Sequence, residues 1–204
     1  MISMLKVIIF DVGGVLYKKN YNGYYRQSFD HFSKQLKISK GAVRKAFLAS
    51  DYKAMTGKEN AEEFVKRVSM FLGKELVFAD FLSFLNNRPK NMDSRMLLLA
   101  KKLKKNYKVI VLSDDIKDAS KPMRKKLRMY FHKLYFSCDL GVRKPNKKIF
   151  KIAINKLHTK PDECLFIDDK PENVKAAKSI GIHAMQFENY NKLLKDLKNH
   201  GVKL

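Results

Sequence analysis

Five short apolar runs punctuate the chain: LKVIIF at 5–10, KVIVL at 108–112, LYFSC at 134–138, CLFID at 164–168 and HAMQF at 183–187. Each has the length and composition of a buried strand. From Lys108 onward the runs alternate with basic segments whose apolar residues recur at helical spacing. Apolar strands separated by helices predict a parallel sheet covered on both faces. Between the first two runs the pattern changes. Residues 18–90 hold no strand-like run, and their Leu, Phe and Val fall at i, i+3, i+4, as in AEEFVKRVSMFLG. The expected fold class is therefore α/β, a Rossmann-like doubly wound parallel sheet with helices inserted after the first strand. The expected division is a core of residues 1–17 and 91–204 and a helical insertion over 18–90. NNRPKN at 86–91, with Pro89, is expected to carry the chain back to the core.

Composition narrows the function classes. A length of 204 residues suits one core with a small inserted domain. The apolar run Val7–Phe10 is too short to span a bilayer and stops at Asp11. It is expected to be neither a membrane span nor a signal sequence, and the expected location is cytoplasmic. Cys138 and Cys164 are too few for a disulfide framework or a zinc site, and both sit in apolar runs as buried free thiols would. Lys and Arg number 43 against 20 Asp and Glu, a formal charge of +23. That balance attracts anions. The lysines are nevertheless scattered, and KKLKK (101–105) and RKKLR (124–128) carry apolar residues at helical spacing, as on solvated helix faces. With no aromatic RNA-binding signature and no zinc-finger spacing, nucleic acid is not the expected partner. No feature specifies an oligomeric state.

The strand ends carry the candidate chemistry, because ligands of such sheets bind beyond the carboxyl ends of the strands. The first run ends at Asp11, followed by Gly13 and Gly14 in FDVGGVL; the second ends at Ser113 in VLSDD. The third is followed by DLGVRKPNKKIF, which carries Lys144, and the fourth ends at Asp168 and Asp169 in FIDDKPEN. A carboxylate nucleophile, a hydroxyl and a lysine for phosphate oxygens, and further carboxylates for a hard cation are the parts phosphoryl transfer needs. Two carboxylates about 4 Å apart repel by roughly 4 kcal/mol at an effective dielectric near 20. Asp11, Asp168 and Asp169 in one crevice therefore call for a cation, and oxygen-only ligands suit Mg²⁺. Gly13 and Gly14 are expected to form a tight turn that brings the backbone close to metal and phosphate.

In order and placement, these four segments resemble the motifs of the haloacid dehalogenase-like (HAD) superfamily, over nearly the whole chain. The resemblance implies Asp11 as nucleophile, Ser113 as phosphate ligand and Lys144 as the cation that stabilises the charged intermediate. It puts Gly14 and Asp114 on the phosphate side. It implies a metal held by Asp11, the main-chain carbonyl of Gly13, Asp169 directly and Asp168 through water. It further implies an α-helical cap at 18–90, Mg²⁺ as cofactor, and hydrolysis of a small phosphorylated substrate through an aspartyl-phosphate.

Two positions depart from that pattern. Most phosphatases of the superfamily place a second aspartate two residues after the nucleophile, where it protonates the leaving oxygen and activates water. Here that residue is Gly13. Asp114 stands where relatives commonly have Asn, and it is expected to be protonated, turned away, or a substitute acid. Two alternatives therefore stay open: a binding module of the same fold with little turnover, and, less favoured, a haloacid dehalogenase. The latter needs no metal and lacks the paired acidic residues of the fourth motif. Asp115 reads as a helix cap, and Asn173 as either a loop stabiliser or a ligand contact. Tyr21, Tyr24, Tyr25 and Arg26 read equally as substrate-facing or as packing, whereas Lys58 and Arg67 read first as a solvated helix face.

Overall fold

The computed structural model describes residues 4–17 and 23–204, without the side chains of residues 23–27, 88 and 89. The side chains of Tyr21, Tyr24, Tyr25 and Arg26 thus lie outside the described residues. Strands β1 (Val7–Phe10), β2 (Lys108–Ser113), β3 (Lys133–Phe136), β4 (Cys164–Asp168) and β5 (His183–Gln186) form one parallel sheet in the order β3-β2-β1-β4-β5. Helices α1 (Gly23–Leu36), α2 (Lys40–Met55), α3 (Ala61–Leu72), α4 (Phe78–Asn87) and α5 (Ser94–Leu103) lie between β1 and β2. Helix α6 (Lys117–Leu127) joins β2 to β3, and α7 (Ser137–Leu140) and α8 (Lys147–Leu157) join β3 to β4. Helices α9 (Pro171–Lys178) and α10 (Tyr190–Asn199) flank β5.

The strands read as continuously apolar because alternate residues enter two different cores. Ile8, Phe10, Val109, Val111, Leu165 and Ile167 pack under α5, α6 and α10, against Met96, Leu103, Met123, Leu127 and Leu197. Val7, Ile9, Ile110, Leu112, Cys164 and Phe166 pack on the opposite face, against Phe150 and Ala153 of α8 and Ala177 of α9. The basic runs behave as solvated faces. Leu103 and Leu127 are buried, while Lys101, Lys102, Lys125 and Lys126 are exposed. Among the described residues, no helix is long and apolar enough to cross a membrane.

Helices α1–α4 have a core of their own. Phe47 stacks on Phe32 at 5.8 Å and meets Phe64 edge-on at 5.5 Å, and Phe64 lies 5.6 Å from Phe81. Burial of each ring contributes about 1.5–3 kcal/mol, which explains how a short helical layer holds together. The cluster continues into Ile116 and Ala119, so the layer rests on α6. Its sequence signals are local: Asn60 and Glu63 form a capping box at the start of α3, and Gly73 ends that helix in the left-handed region. The chain crosses between layer and sheet twice, side by side. Tyr17 bridges Met92, and the Asp93 amide donates to the Leu16 carbonyl at 2.9 Å. Arg88–Asn91, within NNRPKN, form a 3-10 turn just before this crossing.

Two expectations need correction. The third strand stops at Phe136, and Ser137 and Cys138 begin α7 instead. The Ser137 hydroxyl there accepts the Asp115 amide at 3.1 Å, a tertiary contact that outweighs the apolar run's β propensity. Cys164 is fully buried, but Cys138, turned by this helix, is only half-buried.

Candidate active site

The sheet order makes a crevice. From β1 the chain proceeds to β2 and β3 on one side, while β4 and β5 lie on the other, so the order reverses beside β1. Asp11 lies directly beyond β1 and donates its amide to the Ile167 carbonyl at 2.9 Å, which sets it beside Asp168 at the end of β4. Ser113 closes β2 on the opposite flank and is buried.

Lys144 binds this edge together. Its buried Nζ lies 2.8 Å from Asp11 Oδ1 and 2.7 Å from Asp168 Oδ2, and donates to the Leu112 carbonyl at 3.2 Å. The same ammonium sits 5.4 Å above the Phe166 ring, a partner that the strand pattern did not single out. Burial works against the lysine's charge, but Asp11, Asp168 and Asp114 hold its pKa above the ordinary value. Asp168 is saturated. Besides Lys144 it accepts the Lys170 amide at 2.9 Å and the Asn173 amide group at 3.0 Å on both oxygens. Asn173 therefore orients Asp168 by direct contact.

Asp169 differs from Asp168. Its Oδ1 is buried and has no hydrogen-bond partner among the described residues, and burial, with Asp168 beside it, raises its pKa. Burial also pushes Asp11 up to about 7, with Lys144 opposing and Asp168 reinforcing the shift. Among the described residues, Asp11, Asp168 and Asp169 bring carboxylate oxygens within 4.8 Å of one another. With all three ionised, the one ammonium that pairs with Asp11 and Asp168 would leave negative charge in excess among the described residues. An oxygen-only set with an orphaned buried oxygen fits a hard divalent cation such as Mg²⁺.

The two glycines separate. Gly14 has φ of +74°, and a Cβ there would lie 2.2 Å from Asp169 Oδ2, so both backbone and space require glycine. Gly13 lies outside the left-handed region, and among the described residues its Cβ would meet only Asp11 Oδ2 at an ordinary 3.8 Å. The tight turn thus needs Gly14 and not Gly13. Gly14→Ala is expected to displace the Asp169 carboxylate and weaken Mg²⁺ binding by about tenfold or more, read by calorimetric titration. Unchanged affinity would mean that Asp169 is not a ligand.

Asp114 is half-buried, and its Oδ1 accepts the main-chain amide of Lys144 at 3.1 Å. It ties the end of β2 to the Lys144 loop. Burial raises its pKa against the opposing charge of Lys144. Asp115 is not a conventional helix cap: its Oδ1 accepts the amide of the very next residue, Ile116. Lys58 is exposed, and Arg67 pairs with Glu59.

The raised Asp11 pKa has a thermal consequence. A carboxylate that holds its proton more tightly when folded makes stability fall as pH rises, here between about pH 4 and 7. Carboxylates held low, such as Glu163, lose their contribution only below that window. The metal-free melting temperature is therefore expected to be lower near pH 8 than near pH 5. The gain on adding Mg²⁺ is expected to grow over the same range, since the ion needs ionised ligands. Asp11→Asn should reduce the metal-free trend, leaving the part owed to Asp114 and Asp169, whose carboxyls are also raised; a trend unchanged in that variant would assign it to those groups.

Known proteins resemble this chain in sequence and fold. A family model described as haloacid dehalogenase-like hydrolase matches residues 5–181. The D-ribitol-5-phosphate phosphatase of Bacteroides thetaiotaomicron is 33% identical over 149 residues, 65% of this chain and 68% of that protein. Flavin mononucleotide hydrolase 1 of Arabidopsis thaliana is 40% identical over 77 residues, 38% of this chain, and the match spans only 31% of the relative's length. A HAD family enzyme from Bacteroides thetaiotaomicron, solved as a magnesium complex, superposes with a TM-score of 0.78 at 23% identity, covering 95% of this chain and 100% of that one. At that identity the superposition speaks for the fold. With a family match from the first strand to the threshold of the last, this chain belongs to the haloacid dehalogenase-like hydrolases.

Proposed function

We propose that this hydrolase is a Mg²⁺-dependent phosphatase acting on a small phosphorylated metabolite through a phosphorylated Asp11, with residues 18–90 as the cap over its site. The observation that carries this reading is Lys144, buried between Asp11 and Asp168, with the unpartnered Asp169 oxygen beside them. The relatives' names support it: one is a phosphatase of ribitol 5-phosphate and another a hydrolase of flavin mononucleotide.

The chain's own residues divide the work. An Asp11 oxygen attacks phosphorus, and the bond from phosphorus to the leaving oxygen breaks. Ser113 donates to a phosphoryl oxygen, and the Lys144 ammonium balances charge on the transferring group. The departing oxygen takes a proton from water. A second water then attacks phosphorus, releasing phosphate and restoring Asp11. Asp11, the Gly13 carbonyl and Asp169 would hold Mg²⁺ directly, and Asp168, already saturated by Lys144, Lys170 and Asn173, would act through water. When bound, the ion supplies charge neutralisation and orientation of the phosphoryl group.

One observation favours a second reading, a binding module with little turnover: position 13 carries no carboxyl group. Phosphate release from sugar phosphates, including ribitol 5-phosphate, from flavin mononucleotide and from an activated aryl phosphate separates the two. The phosphatase is expected to release phosphate from at least one substrate, and only with Mg²⁺. Mg²⁺ and phosphate binding with every substrate inert, the aryl phosphate included, would select the binding module.

A further inference from the structure

The loop that carries Lys144 also touches the helical layer. Arg143, the residue before Lys144, places Nη1 2.7 Å from Oδ1 of Asp51 on α2, and its guanidinium lies 5.5 Å over the Tyr52 ring. Asp51 is only 2% exposed. It shares the buried face of α2 with Val43, Phe47, Ala54 and Met55. A buried carboxylate is costly to leave uncompensated, and Arg143 supplies it with a cation from the core side of the interface.

Arg143 is itself anchored. Its carbonyl accepts the Asn146 amide at 3.1 Å, and the next amide, that of Lys144, donates to Asp114. The α2–α3 turn makes two further contacts beyond Asp51. Gly57, at φ of +70°, packs so closely that a Cβ would lie 2.0 Å from the Cys138 carbonyl oxygen. The Ala61 amide donates to Asp118 Oδ2 of α6 at 3.2 Å. Residues 51–61 of the layer therefore rest on three separate core segments, one of which is the Lys144 loop.

We infer that Arg143 is a positioning residue, which registers the helical layer over the Lys144 loop by pairing with Asp51. It acts through the layer and not on the substrate. In the docked state the layer closes one side of the phosphoryl site and limits water there, a consequence that rests on the phosphatase reading. The docking itself does not.

Ala61 reports docking directly. As the first residue of α3 its amide has no acceptor within the helix, so its protection from hydrogen exchange comes from Asp118 across the interface. In the full-length protein without ligand, Asp51→Asn and Arg143→Met are each expected to speed Ala61 exchange about tenfold, with Val65 and Val68 inside α3 unchanged. Arg143→Lys, which keeps a cation for Asp51, is expected to restore most of the protection. Parent-like Ala61 exchange in both variants would overturn the inference, as would equal acceleration of Val65 and Val68, which would report loss of the fold. In phosphate release, Asp51→Asn, Arg143→Met and the double variant are expected to lower kcat by the same factor with little change in KM. A rise in KM with Arg143→Met alone would make Arg143 a substrate contact and overturn it too. A parent protein without turnover would fail the phosphatase reading and leave the exchange result to decide the docking role.

Discussion

Asp11→Asn is expected to remove phosphate release almost completely, by about 10⁴-fold or more, as loss of an attacking residue does elsewhere. The substitution preserves shape and one oxygen but leaves no anionic nucleophile. The fold should tolerate it well. Lys144 keeps Asp168 and the Leu112 carbonyl as partners, and one of three mutually repelling carboxylates becomes neutral. Because burial and Asp168 penalise ionised Asp11 in the metal-free protein, the variant is expected to melt no lower than the parent near pH 8. Phosphate release at saturating Mg²⁺, read beside a thermal melt, checks both halves. Retained turnover would place the nucleophile elsewhere and end the aspartyl-phosphate scheme. Loss of turnover with a lowered melting temperature would mean that Asp11 holds the edge together more than it reacts there.

The parts of this site legible in the sequence were those written as local chemistry. A strand that ends on a carboxylate is visible as an apolar run broken by Asp11 or by Asp168 and Asp169, and sheet topology then brings such ends to one edge. The helical insertion was legible for a similar reason, since its 3.6-residue period persists where strand signals stop. What stayed hidden depends on partners far away in the chain. Nothing local distinguishes Arg143 from the other basic residues around it; its role rests on Asp51, 92 residues away. Asn173 and Asp168 recognise each other only once α9 has turned back on β4. LYFSC has the composition of a strand throughout, yet contacts with Asp115 and α7 end it at Phe136. Gly13 and Gly14 are indistinguishable as letters, and only the approach of Asp169 shows which of them the turn requires.

That difference between the glycines makes Gly13→Asp the most informative gain-of-function change. The backbone at position 13 accepts a side chain, and the first carbon would stand at van der Waals distance from Asp11 Oδ2. A carboxyl group introduced there enters a field already negative from Asp11, Asp168 and Asp169, which raises its pKa. A raised pKa keeps it protonated long enough to serve a leaving alkoxide and then return as a base for water. The variant is expected to raise kcat on an alkyl phosphate by about a hundredfold, the lower end of what general acid–base help supplies. On an activated aryl phosphate, whose leaving oxygen needs no proton, the gain should be much smaller. The ratio of the two gains is therefore the measurement, since it cancels changes in metal affinity that affect both substrates alike. Equal gains would mean that the new carboxyl group improves binding and not proton transfer. No gain on either, in a variant that still binds Mg²⁺, would mean that the site already obtains its proton from another group. Asp114, the raised carboxyl that flanks Ser113 and Lys144, is the next residue to change in that case.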